Sequence, residues 1–263
     1  MKPFVSIITI TYNADKVLKK TIDSVFNQKN KNFEYIIIDG NSKDDTLNII
    51  QQYENIRYDS LQAAKERTES DNSKIHWISE PDSGLYDAMN KGIKLAKGEF
   101  LWFINAGDKI YDEHTIENII SIFANQPQSD VIYGQSLIID EDDKPLGERH
   151  KIAPEKLTKR SLLNGLVVCH QSILVKKEIA PLYDLTYRIT SDYDWVCKVL
   201  TNSRRNCYIP EYLSRFMVAG VSSQQRKKAL MERFHIMKSH FGLGATLLAH
   251  LKIVIKYPFT TKY

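Results

Sequence analysis

Phe-Leu-Trp-Phe-Ile-Asn-Ala-Gly-Asp, residues 100–108, is the stretch on which the fold turns. Its first five residues are all apolar, which reads as a strand buried on both faces of a parallel sheet. The run stops abruptly at Asn105, Gly107 and Asp108. Open parallel sheets collect ligands outside the carboxyl ends of their strands. A carboxylate there, beside a glycine that lets another backbone approach, is a place for a cation carrying a diphosphate. Taken alone, Asp108 reads more readily as a turn or helix-capping residue. Its weight comes from what precedes it.

Upstream, the same pattern recurs. Residues 4–10 form a β-rich run that ends in Thr11-Tyr12-Asn13, and residues 33–38 form a second that ends in Asp39-Gly40-Asn41-Ser42. Residues 75–79 read as a third strand, followed by a turn at 80–84. Helical spacing fills the intervals: 15–28, with Val17, Leu18, Ile22, Val25 and Phe26 on one stripe, then 44–53, 85–97 closed by Gly98, and 112–125 before a strand at 131–133. Alternation at this interval predicts βαβ units, a parallel sheet and right-handed crossovers. The polar stretch 54–74 is an excursion, with a short surface helix expected at 62–67. After residue 133 the rhythm loosens. A hairpin is expected around 141–145, helices at 154–164 and 192–200, and short strands at 172–175 and 215–218.

Composition narrows the class. The chain has 263 residues, long enough for one large α/β domain or two small ones, and its 43% hydrophobic content argues against wholesale disorder. Three widely spaced cysteines, Cys169, Cys197 and Cys207, suit neither a disulfide framework nor a zinc site, and point to a reducing cytoplasmic setting. The first residues read as a strand rather than a cleavable leader, and no apolar run reaches the roughly 18 residues of a spanning helix. Net charge is +4, unevenly placed. From residue 226 onward the acid Glu232 stands among eight Lys and Arg residues, so a basic tail follows a mildly acidic body. Leu243, Leu247, Leu251, Val254 and Ile255 share one face of that tail, which suits a helix lying on an anionic membrane surface or one packed on the body or in a dimer contact. Nucleic acid is disfavoured, because aromatic residues do not interleave with the basic ones.

Polar or acidic groups thus stand at the ends of all four early strands: Tyr12 and Asn13, Asp39, Glu80 and Asp82, Asn105 and Asp108. For Asp39, Asp82 and Asp108, helix capping is an equal alternative. The four blocks that carry them are Val-Ser-Ile-Ile-Thr-Ile-Thr-Tyr-Asn (5–13), Ile-Ile-Asp-Gly-Asn-Ser-Lys-Asp-Asp-Thr (37–46), Ser-Glu-Pro-Asp-Ser-Gly-Leu-Tyr-Asp-Ala-Met-Asn-Lys-Gly (79–92) and Phe-Ile-Asn-Ala-Gly-Asp (103–108). In order and spacing they resemble glycosyltransferase family 2, and most of all its bacterial surface-polysaccharide (colanic-acid-type) members, over about residues 3–220.

The resemblance implies an α/β, GT-A-like fold: a Rossmann-type, mostly parallel sheet flanked by helices, with a less regular acceptor-side half and a helical C-terminal tail. It divides the chain at 1–221 for the transferase domain, with a nucleotide-sugar half to about 134 and an acceptor half over 135–221, and 222–263 for the basic extension. It implies inverting transfer from a nucleotide-diphosphate sugar to a saccharide acceptor, lipid-linked at the inner face of the cell membrane. Thr11 and Tyr12 would form a wall for the base, with Asn13 beside them. Asp39 would accept an N–H from the base, which favours UDP and leaves GDP and dTDP open. Asp82 and Gly84 would border the ribose, and Asn105 would orient ribose or a metal-bound water. Asn90 reads as structural. Asp108 matches the last acid of the family's Asp-x-Asp metal motif, whose earlier acids are replaced here by Asn105 and Gly107, so Mg²⁺ or Mn²⁺ would bind poorly without nucleotide. Asp192, at the head of a late helix, matches the catalytic base and is preferred to Asp194. Cys169-His170-Gln171 would line the acceptor or diphosphate pocket, with His170 and Gln171 as its polar groups, and a loop at 220–222 would close over it.

Two rivals remain. A nucleotidyltransferase would want a glycine-rich basic loop after the first strand, where this chain has Thr-Tyr-Asn-Ala-Asp. A nucleotide-sugar-binding or scaffolding subunit without transfer activity is favoured by Asn105 and Gly107, and disfavoured by Asp108 and Asp192. Oligomeric state, a homo-oligomer included, is left open.

Overall fold

A computed structural model describes residues 2–63, 75–218 and 225–256. Four strands make the first half of the sheet: β1 (Val5–Thr11), β2 (Phe33–Asp39), β3 (Ile75–Ser79) and β4 (Phe100–Phe103). They lie parallel in the order β3-β2-β1-β4. Helix α1 (Leu18–Phe26) joins β1 to β2, α2 (Thr46–Ala63) follows β2, and α3 (Leu85–Leu95) precedes β4. After β4 come β5 (Lys109–Ile110), α4 (Thr115–Phe123), β6 (Val131–Ile139), β7 (Pro145–Glu148), β8 (Ile173–Lys176), α5 (Ser191–Asn202) and β9 (Asn206–Met217). β8 runs antiparallel between β4 and β6, β9 runs parallel to β6, and β7 closes the expected hairpin with β6. Both halves of the chain therefore share one sheet. The tail forms α6 (Arg226–Phe241) and α7 (Leu243–Lys256).

Strands β1, β2 and β4 are buried at every position. Their alternation feeds two cores. Ile8, Ile38, Leu101 and Phe103 face α3 and α5, while Ile7, Ile37, Phe100 and Trp102 face α1 and α4. Asn90 ties α3 to the acceptor side: its amide donates to the Tyr183 carbonyl at 3.0 Å and accepts from the Tyr183 N–H at 2.7 Å. The structural reading of Asn90 matches this placement. Asn90→Ala leaves both Tyr183 groups without partners and is expected to cost about 2–4 kcal/mol, seen as a lower urea midpoint at unchanged slope.

The second half departs from the sequence pattern in two places. The helix expected over 154–164 is a six-residue 3-10 helix at Lys159–Asn164, started by a Thr158–Ser161 capping box and ended at Gly165 (φ 91°). The strand expected at 215–218 is the end of a twelve-residue strand, β9, whose register against β6 shifts around Gly134, where a side chain would strike the Glu211 carbonyl oxygen. Pro210 and Glu211 break the apolar run there and hide the strand. The expected loop at 220–222, and most of the short helix expected at 62–67, lie outside the described residues.

Candidate active site

The strand order reverses at β1, since the chain moves outward through β2 and β3 and then returns to β4 on β1's other side. The crevice between the carboxyl ends of β1 and β4 is therefore where such a sheet takes ligand. Thr11, Tyr12 and residues 104–108 sit there. The ladder continues past β4, with the Ile104 N–H donating to the Ile8 carbonyl at 3.0 Å and the Ala106 N–H to the Ile10 carbonyl at 3.1 Å.

On the β1–β2 side, Tyr12 is 63% exposed, an unusual position for a large aromatic ring. It lies over Gly40, where a Cβ would meet the Tyr12 ring at 3.2 Å and an Asp82 carboxylate oxygen at 3.0 Å. One bare glycine thus brings Tyr12 and Asp82 together. Asp39 is fully buried and accepts from the Ser42 hydroxyl, the Ser42 N–H at 3.0 Å and the Ser79 hydroxyl at 2.6 Å. Asn13, at φ 47°, stitches the loop: its N–H donates to Ser42 Oγ at 2.8 Å and its amide oxygen accepts the Lys43 N–H at 2.8 Å. Asp82 pairs with Lys91, and burial moves its carboxyl upward. Gly84 adopts φ 124° at the head of α3, beside Arg188.

Capping does not explain these acids. The Thr46 N–H at the head of α2 is taken by Asp44, α3 starts at Gly84 without a side-chain cap, and α4 starts beyond His114, also without one. Asp192 likewise lies one residue inside α5, whose N-cap is Thr190.

On the β4 side, Asp108 is buried and accepts the Met217 N–H at 3.0 Å and the Gln171 amide at 2.8 Å. Among the described residues no cation pairs with it, and burial pushes its carboxyl up to about 7. Gly107 (φ 97°) lets Met217 of β9 close over it, and a side chain there would strike the Met217 methyl. The amide oxygen of Asn105 is buried with no partner among the described residues, as is the Thr11 hydroxyl.

Asp192 accepts the Tyr193 N–H at 2.8 Å, and burial raises its carboxyl; the Tyr86 hydroxyl donates to the Ile189 carbonyl at 2.8 Å and is shared with Asp192 at 3.3 Å. Asp194, by contrast, is spent on Lys198 and His240 at 2.6 and 2.7 Å, pinning α5 to α6. Tyr86 stacks on Tyr183, and the Tyr183 hydroxyl meets His170 Nε2 at 2.6 Å. His170 itself is enclosed by Phe103, Tyr183 and Trp195, and burial holds it down at about 4, so it is a neutral ring. The structure therefore places Gln171 on Asp108 and His170 against Tyr183 and the neighbouring aromatic rings. Tyr86 was not singled out from sequence, although it lies within the 79–92 block.

The donor set bears on a divalent cation. Asp108 and Asn105 offer hard oxygens, one an uncompensated buried carboxylate and the other an orphaned carbonyl, and each Asp108 oxygen keeps a lone pair. Among the described residues no group of three or more His, Cys, Asp or Glu is placed to hold an ion. The residues fit a cation that arrives with phosphate oxygens and fit poorly one bound by protein alone.

A curled, mostly parallel sheet with a polar crevice at its switch point defines a GT-A-like fold. The full chain superimposes on S. aureus TarS 1-349 in complex with UDP-GlcNAc with a TM-score of 0.67 at 17% identity, covering 76% of that chain. It also superimposes on the mannosyltransferase PcManGT from Pyrobaculum calidifontis in complex with GDP-Man and Mn2+, with a TM-score of 0.60 at 14% identity. A model of Glycosyl transferase family 2 matches residues 6–180. A PGL/p-HBAD biosynthesis glycosyltransferase of Mycobacterium tuberculosis is 31% identical over 84% of this chain and 76% of its own length. The putative teichuronic acid biosynthesis glycosyltransferase TuaG of Bacillus subtilis is 29% identical over 90% of this chain and 92% of its own. The chain belongs to glycosyl transferase family 2 and is a glycosyltransferase.

Proposed function

We propose that the protein transfers a sugar, with inversion, from a UDP-sugar to a saccharide acceptor in bacterial surface-polysaccharide synthesis. The observation that carries it is the pairing, across one crevice, of an exposed aromatic platform beside a buried carboxylate (Tyr12 and Asp39) with a second, uncompensated carboxylate (Asp108). The relatives named for teichuronic acid and PGL/p-HBAD biosynthesis, and the neighbour solved with UDP-GlcNAc, support the pathway class and the donor.

In this reading Tyr12 stacks on the base, Asp39 accepts its N–H, and Thr11, Asp82, Gly84 and Asn105 shape the ribose and diphosphate walls. Asn13 holds the loop that carries Tyr12. Asp108 and Asn105 would hold Mg²⁺ or Mn²⁺ together with the donor's diphosphate. When bound, the cation offsets the charge that grows on the leaving diphosphate. Asp192 takes the proton from the acceptor hydroxyl as that oxygen attacks C1 of the sugar; the C1–oxygen bond to the diphosphate breaks on the opposite face. Burial lifts the Asp192 carboxyl, which strengthens it as a base, and the Tyr193 N–H fixes its orientation. Gln171 orients Asp108.

The tail fits a peripheral station on an anionic membrane face, and so a lipid-linked acceptor. α6 packs on the body through Ile236, Met237 and Glu232, whose carboxylate accepts the N–H groups of residues 188–190. α7 leaves Leu243, Leu247, Leu248 and Leu251 at least half exposed, with Lys252 among them. The side chains of Val254 and Ile255 lie outside the described residues. No described helix is long and apolar enough to cross a membrane.

The test is transfer of radiolabelled sugar from UDP-sugars to a membrane extract, with Tyr12→Ala as the probe of the donor pocket. Loss of one stacked base is worth about 1–3 kcal/mol, so UDP affinity should fall roughly 10–100-fold. Unchanged affinity would remove Tyr12 from the pocket.

A further inference from the structure

Three basic side chains converge behind Asp192 without an acid to meet them. Arg149 follows β7, Lys151 lies two residues on, and Arg233 comes from the inner side of α6. Gly165 marks the point of convergence. A Cβ on it, at φ 91°, would collide with Lys151 Nζ and lie 2.5 Å from Arg233 Nη2. Arg149 Nη1, Arg233 Nε and Arg233 Nη2 are buried and have no hydrogen-bond partner among the described residues. Arg149 spends one nitrogen on the Leu166 carbonyl at 3.1 Å, and the Arg233 guanidinium lies 5.9 Å from the Tyr193 ring centroid. Neighbouring Glu232 is turned away to residues 188–190. Among the described residues no carboxylate lies within ion-pair distance of any of the three. Burial and the two guanidinium charges push Lys151 down to about 8, so nothing nearby compensates it.

Buried donors with no acceptor, and like charges held together, mark a site that is completed by an anion. We infer that Arg149, Lys151 and Arg233, gathered over Gly165, bind a phosphate or pyrophosphate group carried by the acceptor. The choice of acceptor over donor rests on the proposed in-line reaction. There, base and leaving diphosphate occupy opposite faces of the sugar, so positive charge on the base's side lies on the acceptor's side. Arg149 acts on Asp192 through its field, and Arg233 covers the ring of the next residue. None of the three comes from β1 to β4, where the donor residues lie. A phosphate held here would anchor a phosphorylated acceptor with its hydroxyl end toward Asp192.

Two titrations test this in the full-length protein. Inorganic pyrophosphate is titrated in EDTA, so that no metal–nucleotide site contributes; UDP is titrated with Mn²⁺. Pyrophosphate should bind the wild type, and Lys151→Gln and Arg233→Gln should each weaken it at least tenfold while UDP–Mn²⁺ affinity stays within twofold. The second titration also shows that each variant is folded. Equal pyrophosphate affinity in both variants would overturn the site. Weakening of UDP–Mn²⁺ binding in parallel would assign the cluster to the donor's diphosphate and overturn the acceptor assignment. Failure of the wild type to bind UDP–Mn²⁺ would count against the donor reading instead, with the pyrophosphate result standing separately.

Discussion

Asp192→Asn is expected to lower transfer by about 10²–10⁴-fold, the usual contribution of a positioned general base, while UDP–Mn²⁺ affinity is unchanged. The substitution keeps the size of the side chain and its acceptor oxygen, so the Tyr193 N–H and the Tyr86 hydroxyl retain a partner. What disappears is the capacity to take a proton. Asp194 is no substitute, because Lys198 and His240 hold it in a structural ion pair. The loss should fall on kcat and not on donor KM, since the proposed mechanism puts Asp192 on the acceptor's side. A variant with wild-type kcat would remove Asp192 from the chemistry. Tyr86→Phe gives a finer reading: it leaves the carboxylate in place but removes the hydroxyl that Asp192 shares with the Ile189 carbonyl. A several-fold fall in kcat, with the acid limb of the pH–rate profile moved upward, is expected. The direction follows because that hydrogen bond favours the charged form of Asp192.

Asp108→Asn should have the second-largest effect, on the order of 10³-fold in turnover, because under the proposed function the leaving diphosphate would lose the charge compensation, worth several kcal/mol, of a cation that Asp108 would hold. The fold should survive. An asparagine can still accept the Met217 N–H, and Gln171 can turn to offer its amide oxygen, which now accepts from the Cys169 thiol at 3.1 Å. Removing an uncompensated buried carboxylate should raise the melting temperature of the nucleotide-free protein at pH 8, where Asp108 is charged in the wild type, and the gain should shrink as pH falls below about 7. The sign is fixed by a folded-state pKa above the unfolded one: the native state holds the proton more tightly, so ionising Asp108 costs stability above that pH. Retained Mn²⁺-stimulated turnover in Asp108→Asn would place the cation elsewhere.

Much of this was legible in the sequence because it is local. An apolar run with no polar interruption specifies a strand buried on both faces, and its abrupt end at Asn105-Ala106-Gly107-Asp108 specifies a rim. The same logic gave β1, β2 and their terminal residues Tyr12 and Asp39, and the order of elements up to β6 except for the two-residue strand β5. What the pattern could not show depends on residues far apart in the chain. β9 was hidden by Pro210 and Glu211, which only make sense against the register shift at Gly134. Gln171, in the 3-10 turn just before β8, and Met217, at the end of β9, reach Asp108 because of where those strands sit in the sheet, which no periodicity encodes. Arg233 reads in sequence as one more cation on a basic tail; only the packing of α6 turns it toward Lys151 and Gly165. His170 looks like a site residue by its neighbours in sequence, while its ring packs against Phe103, Tyr183 and Trp195, contacts that no local pattern shows.

The measurement that bears most directly on the donor site is calorimetric titration of the purified, folded protein with UDP, GDP and dTDP, each with and without Mn²⁺. The predicted result is binding of UDP that strengthens at least tenfold with Mn²⁺ and loses that gain in Asp108→Asn. Failure of all three nucleotides to bind, with or without Mn²⁺, would contradict it.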